Sequence, residues 1–491
     1  MNTSSTAGNY RRASLTLLAI GLLAWWLADI EILTRSPWQE LQRLALGIIT
    51  PDFTATPSLL DALFTTLAFA LQSVALAASA GFVLALAWHV RLVRVFCAGI
   101  RAIHELFWGL IFLQLTGLTP LTGVLAIAIP YSGIFAKVFG EFLEESDPRP
   151  AQALPAGASA VSAFFFSRLP LVWHSFRVYA SYRLECAIRS STILGFIGLP
   201  TLGFHLETAL RQGHYSAGAA LLYLFFLIII SMRWWVRARL LPIYLLTAVA
   251  LVPPVGHWQA NTLARFFGHD IVPAPLRIGE PAKLWPWLTD LFTSQALPGL
   301  LNTLILSVAA LLLTAVLTLV GFTQVSRLFH GKHWRQSAHA VLVMIRTVPE
   351  FLLAFILMLP LGPSMLPGIL ALGLHTAAIL SHLLGQLSNS LSLRPDSAHG
   401  LNRFSYEVLP RLYGNFLALL LYRWEIILRE SAILGLIGIP TLGFYIDSAF
   451  SEFRFDRAML LIAVTVALNL LVDGLSRQLR QRMRSTDLTW R

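Results

Sequence analysis

Apolar positions in this chain come in long uninterrupted runs rather than in alternation. Leu15 to Leu27, Thr65 to Trp88, Leu297 to Val320 and Met459 to Val472 contain no charged residue. Such runs approach or exceed the ~20 residues a helix needs to cross a ~30 Å hydrocarbon layer. A barrel strand would alternate polar and apolar residues, which these runs do not. Only helices and closed barrels satisfy their backbone polar groups in lipid, so the pattern predicts membrane-spanning helices. In order, the spans fall near 13–33, 60–88, 102–118, 119–142, 170–198 and 217–235. A second set follows near 240–255, 297–322, 338–360, 364–387, 411–438 and 457–475. The expected fold class is all-α, a polytopic membrane protein of about 12 transmembrane helices.

Basic residues gather at the ends of these runs. Arg11 and Arg12 precede the first run, and Asp29 and Glu31 follow it, which predicts a cytoplasmic N-terminus. Alternate loops then carry Arg91 and Arg94; Arg233, Arg237 and Arg239; Arg327, Lys332 and Arg335; and Arg477, Arg480, Arg482 and Arg484. All four fall on the inside, and an even number of spans returns the C-terminus there too. This placement changes the meaning of the composition. The 491 residues are 56% hydrophobic and 12% charged, with a formal charge of +11. On a soluble protein that charge would suggest nucleic acid, but here it marks topology, and no nucleic-acid partner is expected. No small-residue cleavage pattern follows the first run, which predicts a retained anchor in contact with lipid. Cys97 and Cys186 are placed for neither a disulfide nor a metal site.

The chain repeats itself. Arg183 to Glu207 reads RLECAIRSSTILGFIGLPTLGFHLE and Arg423 to Asp447 reads RWEIILRESAILGLIGIPTLGFYID. At an offset of 240, 14 of 25 positions are identical, a match that chance does not produce. A weaker match at an offset of 245 sets Arg101 and Glu105 against Arg346 and Glu350, and Gly123 against Gly368. With an even number of spans in each half, the two halves share one orientation, a parallel repeat related by a pseudo-two-fold axis along the membrane normal. The expected halves are 1–238, with a core at 60–236, and 239–491, with a core at 296–477.

In the first half a polar loop, 144–168, reads EESDPRPAQALPAGASAVSAFFFSR and is followed by Leu169 and Pro170; its counterpart, 389–408, ends before Leu409 and Pro410. Here the chain resembles the type I ABC importer permeases, whose cytoplasmic loop forms a short coupling helix that docks on the ATPase. Ala153, Leu154, Gly157, Ala158 and Ser159 match that loop pattern, with Gln152 where an acid is usual; in the second half Ser397, beside Ala398, replaces the glycine. YRLECAIRSSTILGFIGLPTLGF from Tyr182 and YRWEIILRESAILGLIGIPTLGF from Tyr422, with RAIHE from Arg101 and RTVPE from Arg346, further resemble phosphonate-family permeases of the PhnE type, two halves fused in tandem. That resemblance implies a bacterial inner-membrane importer for phosphonate, phosphite, hypophosphite or phosphate. Its partners would be two copies of an ATPase subunit and a periplasmic substrate-binding protein, with ATP and magnesium held by the ATPase and no cofactor in this chain.

The repeated segments place charge inside apolar helices, where an Arg or Glu at the bilayer centre costs about 2.5–3.5 kcal/mol. Arg101 and Glu105, Glu185 and Arg189, Arg346 and Glu350, and Glu425 and Arg429 are all spaced i, i+4, as on one helix face. They are either self-neutralising pairs that hold the bundle together or, with Arg183 and Arg423, the lining of a translocation path that offers planar donors to an oxyanion. Gly198, Gly203, Gly438 and Gly443 allow close approach or a positive-φ turn, and Pro200 and Pro440 predict that the helix ends there. In the resembled family this turn lies towards the periplasmic gate.

Enzyme signatures do not occur. There is no G-x-x-x-x-G-K-[ST] loop, and the histidines lack metal-ligand spacing, so His375 and His382 read as packing groups. The competing class is a self-powered secondary transporter of a small anion, also built from six plus six spans. It calls for a glycine-acid signature after the second helix, where this chain has HVRLVRVFCAGIR from His89.

Overall fold

The computed structural model describes residues 3–147, 149–154, 157–237, 239–256, 260–394 and 396–484, and every regular element among them is helical. The side chains of Gln152, Arg233, Arg482 and Arg484 lie outside the described residues. The chain opens with α1 (Thr3–Leu27) and α2 (Pro37–Ile49). The first repeat is α3 (Leu59–Leu86), α4 (Arg91–Ala102), α5 (Glu105–Thr116), α6 (Pro120–Glu145), α7 (Leu169–Ile193), α8 (Leu202–Arg211) and α9 (Tyr215–Trp235). After α10 (Leu241–Leu251) the second repeat follows the same order: α11 (Leu297–Val325), α12 (Lys332–Thr347), α13 (Glu350–Leu361), α14 (Met365–Asn389), α15 (Leu409–Ile433), α16 (Leu442–Ser451) and α17 (Phe455–Arg484).

Among the described residues six helices are long and apolar enough to cross a membrane alone, and ten spans result when each bent pair counts as one. The expected twelve would add α1 and the eleven-residue α10. Two expected spans need correction. Residues 338–360 are not one helix, because α12 and α13 meet at 92°, and the span at 102–118 is only α5, set at 88° to α4. Pro349 drives its predecessor out of the helical region, and Val348 has φ −66°, ψ 127°. The first repeat has no proline there. Its break falls at Ile103 and His104, both extended, and His104 Nδ1 caps α5 by accepting from Leu106 N at 3.2 Å. At 1.5 Å per residue each twelve-residue α5 or α13 reaches only about 18 Å.

Two compact units result, Arg43–Phe267 and Met1–Gln42 with Gly268–Arg491. Within the first unit, α6 is the central helix: 67% of its apolar window is buried, against 44% for α3. Within the second, α14 holds that place at 72%, against 39% for α17. The outer helices turn large apolar side chains outward, among them Val83, Leu227, Val316 and Leu471, as lipid-facing helices do. Each unit also takes in a helix from outside its repeat. In the first unit Gln72 Nε2 donates to Ala248 O and Val252 O, at 2.9 and 2.8 Å, and ties α10 to α3. In the second, Trp25 Nε1 donates to Ala309 O at 3.0 Å and ties α1 to α11. Gln72 and Ala309 occupy the same position, six residues after the threonines Thr66 and Thr303 that bind the repeated turns. The donor has changed sides while the seam has been kept. The opening helix thus packs with the second repeat rather than with the half in which it stands.

The glycine-proline turn recurs in both units with the same backbone and the same threonine contact. After α7 and α15 a short 3₁₀ turn ends in Gly198 and Gly438, with φ of 95° and 98°, and the chain reverses into α8 and α16. Leu202 N and Leu442 N donate to Thr66 Oγ1 and Thr303 Oγ1, at 2.9 and 3.0 Å. Thr441 Oγ1 donates to Ala432 O at 3.1 Å, and Asn302 Nδ2 to Pro440 O at 2.8 Å. Each α-helix stops seven residues before its proline, at Ile193 and Ile433, earlier than the prolines alone predict. The backbones come so close that a Cβ on Gly203 would lie 1.7 Å from Thr192 O and one on Gly443 2.0 Å from Ala432 O. Backbone carbonyls cannot turn away as side chains can. Gly203→Ala and Gly443→Ala should therefore each destabilise the protein by about 1–3 kcal/mol or more. Thermal unfolding in detergent checks this against Gly157→Ala, whose added methyl meets no atom of the described residues within 4 Å; equal melting of all three variants would refute the close-approach account.

Candidate functional site

Helix α7 carries the first row of intramembrane charge. Arg189 Nη2 lies 3.1 Å from Glu185 Oε1, the i, i+4 pair its spacing predicts, with 21% and 40% of the two side chains exposed. Arg183 is held differently. Its Nε donates to Tyr179 Oη at 2.8 Å, and its Cζ lies 5.2, 5.4 and 5.8 Å from the ring centres of Tyr131, Tyr179 and Tyr182. Three aromatic faces around a guanidinium offset part of its desolvation. Tyr131 Oη continues to Ser190 Oγ at 3.2 Å, and Ser190 Oγ donates to Glu105 Oε1 at 2.6 Å. One polar chain thus runs from α7 across α6 to the start of α5.

The expectation that Arg101 with Glu105, and Arg346 with Glu350, each share a helix face is overturned. Arg101 and Arg346 stand in the last turns of α4 and α12, whereas Glu105 and Glu350 open the helices beyond the bends. Each carboxylate instead meets a buried histidine. His104 Nε2 lies 3.5 Å from Glu105 Oε2. Since His104 Nδ1 accepts from Leu106 N, Nε2 carries the proton in the neutral ring and points it at the carboxylate. His375 Nε2 lies 3.4 Å from Glu350 Oε2, and its Nδ1 faces Val348 O at 3.0 Å. A carbonyl only accepts, so Nδ1 is protonated there. The contact with Glu350 is attractive only if a second proton sits on Nε2 or on the carboxyl.

The second repeat keeps the frame and changes its dressing. Arg423, Glu425 and Arg429 sit half-buried on α15, and Arg429 Nη2 lies 3.7 Å from Glu430 Oε1. Glu430 is buried and replaces Ser190, while Leu419 and Thr376 stand where the first repeat has Tyr179 and Tyr131. Tyr422, the counterpart of Tyr182, has Arg480 Cζ 5.4 Å from its ring centre. The tyrosine surround of Arg183 is therefore not reproduced at Arg423. Residue spacing pointed to the arginine ladders but missed His104, His375, Tyr131, Tyr179, Ser190 and Glu430. Glu430 carried a readable signal, an acid in an apolar helix aligned with a serine. The histidines did not, since their carboxylates are brought to them by bends.

The polar loops are open. Ala153, Gly157, Ala158, Ser159 and Ala398 are exposed, and Leu154 and Ser397 are half-buried. The first loop holds one helical turn, Arg149–Gln152, and a second, Ala160–Ala163, where Ser159 Oγ accepts from Ser162 N at 3.1 Å. The Arg149 guanidinium hydrogen-bonded to Asp147 holds that carboxyl below its usual range. In the second loop Arg403 Nε donates to Ala398 O at 2.8 Å. Both loops lead into a π-helical turn before α7 and α15. Large apolar side chains stand outward at matching positions: Val161 and Leu401 are 67% and 82% exposed, and Phe166 and Tyr406 82% and 80%.

The family of binding-protein-dependent transport system inner membrane components matches residues 319–485. The phosphate-import permease protein PhnE of Mycolicibacterium smegmatis is 26% identical over 428 residues, covering 80% of this chain and 77% of that protein. The phosphite transport system permease protein PtxC of Stutzerimonas stutzeri is 31% identical over 220 residues, 42% of this chain and 79% of that protein. The putative cryptic phosphonate transport system permease protein PhnE2 of Escherichia coli is 32% identical over 121 residues, 23% of this chain and 97% of that protein. No solved structure matches. A repeated, multi-helical membrane frame with two exposed loops, and relatives of this kind along most of its length, show that the chain belongs to the family of binding-protein-dependent transport system inner membrane components.

Proposed function

We propose that this chain is the membrane-spanning permease of an ATP-driven importer for phosphonate or a related phosphorus oxyanion: phosphite, hypophosphite or phosphate. The observation that carries the reading is the doubled constellation of an open polar loop with outward apolar side chains, a charged helix and a glycine-proline turn, in a chain that aligns over 80% of its length with a phosphate-import permease. The loops lie on the cytoplasmic side and receive an ATPase dimer, the turns lie towards the periplasm, and a binding protein delivers the cargo there. Closure of the ATPases on the loops moves the two repeats, and the chain itself makes and breaks no bond. Arginines serve the passage because a planar guanidinium donates two parallel hydrogen bonds to an oxyanion. Their existing partners keep that passage reversible, since Glu185 and Glu430 compete with the cargo and prevent it from being trapped.

Uptake into proteoliposomes containing this chain, the ATPase and the binding protein should require ATP. Uptake that survives omission of the ATPase but not collapse of a proton gradient would instead make the protein a secondary transporter. Arg189→Ala and Arg429→Ala should each slow uptake about tenfold or more, ~1.4 kcal/mol, at unchanged membrane abundance. A parallel fall in abundance would assign these arginines to bundle assembly. Val161→Asp and Leu401→Asp should each abolish co-purification of the ATPase while the chain still reaches the membrane, because a charge would be buried without a partner at the docking face. Undiminished co-purification would place the docking face elsewhere.

A further inference from the structure

Within the second unit, a cavity of about 360 Å³ opens between α12 and the end of α14, and among the described residues its lining contains no carboxylate. Lys332, Arg335 and His339 face it from α12, at a spacing of three and then four residues, and His382, Gln386 and Asn389 from α14, at four and then three. Each set forms one stripe on its helix, so two polar stripes oppose each other across the opening. Lys332 is also the first residue of a sixteen-residue helix, whose opening amides add positive potential at the same end.

The cavity is furnished with donors. Arg335 Nε is shut off from solvent and has no hydrogen-bond partner among the described residues. A buried N–H of a cation left in that state is costly and calls for an acceptor. The His339 and His382 ring centres lie 4.9 Å apart, and Gln386 Nε2 is 3.0 Å from His382 Nε2. Asn389 Oδ1 is occupied by Arg327 N at 2.7 Å, so the amide nitrogen is what Asn389 offers to a ligand. An ammonium, a guanidinium and an amide, with two imidazoles facing each other beside them, match a compact anion with acceptors on every side.

The first repeat shows that the scaffold does not impose this arrangement. At the offset of 245 that pairs Gly123 with Gly368, the positions of His382, Gln386 and Asn389 are Lys137, Glu141 and Glu144. Lys137 Nζ lies 3.9 Å from Glu141 Oε1, so its charge is met within the helix. Two carboxylates at that place repel what the second repeat attracts. We infer that the cavity between α12 and α14 is a binding site for a tetrahedral oxyanion of the phosphate class, either free phosphate or the phosphate of a lipid headgroup, separate from the arginine ladders of α7 and α15. The site does not depend on the proposed importer activity.

Titration calorimetry on the purified full chain, in nanodiscs made only of phosphatidylcholine, tests the site with inorganic phosphate as probe. Saturable binding is expected, weakened about tenfold or more in a Lys332→Gln/Arg335→Gln double variant and unchanged in Arg177→Gln, which removes an exposed arginine from α7. Adding phosphatidylglycerol to the discs separates the two sources. If it displaces phosphate from the wild type and is retained by the wild type over the double variant in native mass spectrometry, a lipid headgroup is the resident ligand. If it leaves phosphate binding intact, the ligand is the free ion. Phosphate binding by the double variant at wild-type strength overturns the proposal, as does a wild type that neither binds phosphate nor retains the anionic lipid above the double variant. Uptake is a separate readout, so loss of one conclusion leaves the other standing.

Discussion

Inside hydrocarbon, a charge or backbone polar group must find its partner within the protein, because no water is there to supply one. The helical frame follows from that constraint for the backbone, and the arrangement of the arginines follows from it for the side chains. Arg183 sits among three tyrosine faces, Arg189 against Glu185 and Arg429 beside Glu430, three solutions to one desolvation problem. The breaks obey the same rule. Where α4 gives way to α5, His104 caps the backbone with one ring nitrogen and faces Glu105 with the other, so a single side chain serves both an orphaned amide and an acid. A transport site has to keep such partners weak enough to be exchanged, which favours pairs and rings over a bare charge.

The two repeats show which parts of the frame admit variation. The glycine-proline turn keeps its glycines, its left-handed φ and its threonine contact in both repeats, because any side chain at Gly203 or Gly443 would collide with backbone. Polar dressing is far freer. Ser190 gives way to Glu430, the tyrosine surround is absent around Arg423, and the histidine meeting the break carboxylate comes from the joint itself in one repeat and from α14 in the other. The seam at Gln72 and Ala309 has exchanged donor for acceptor. Close backbone packing leaves no room for compromise, whereas a hydrogen bond can be supplied from either side.

Much of this was open to reading from residues alone. Apolar runs too long for a soluble core announced a helical membrane protein, the match of Arg183 to Glu207 with Arg423 to Asp447 announced a doubled one, and Pro200 and Pro440 announced a break, which opens seven residues earlier, where α7 and α15 end. The spacing of Glu185 and Arg189 gave an ion pair that is formed. These features are local or periodic, so linear order carries them. Spacing misled at Arg101 and Glu105 and at Arg346 and Glu350, because i, i+4 implies a shared face only while the helix continues, and extended backbone at His104 and Pro349 turns the chain by about a right angle. Tertiary structure alone decided that α1 joins the second repeat and α10 the first, that His375 meets Glu350, and that Lys332 and Arg335 face His382 across a cavity. Each of those depends on where a bend or a packed seam carries distant residues, and a pattern along the chain holds no record of distances across it.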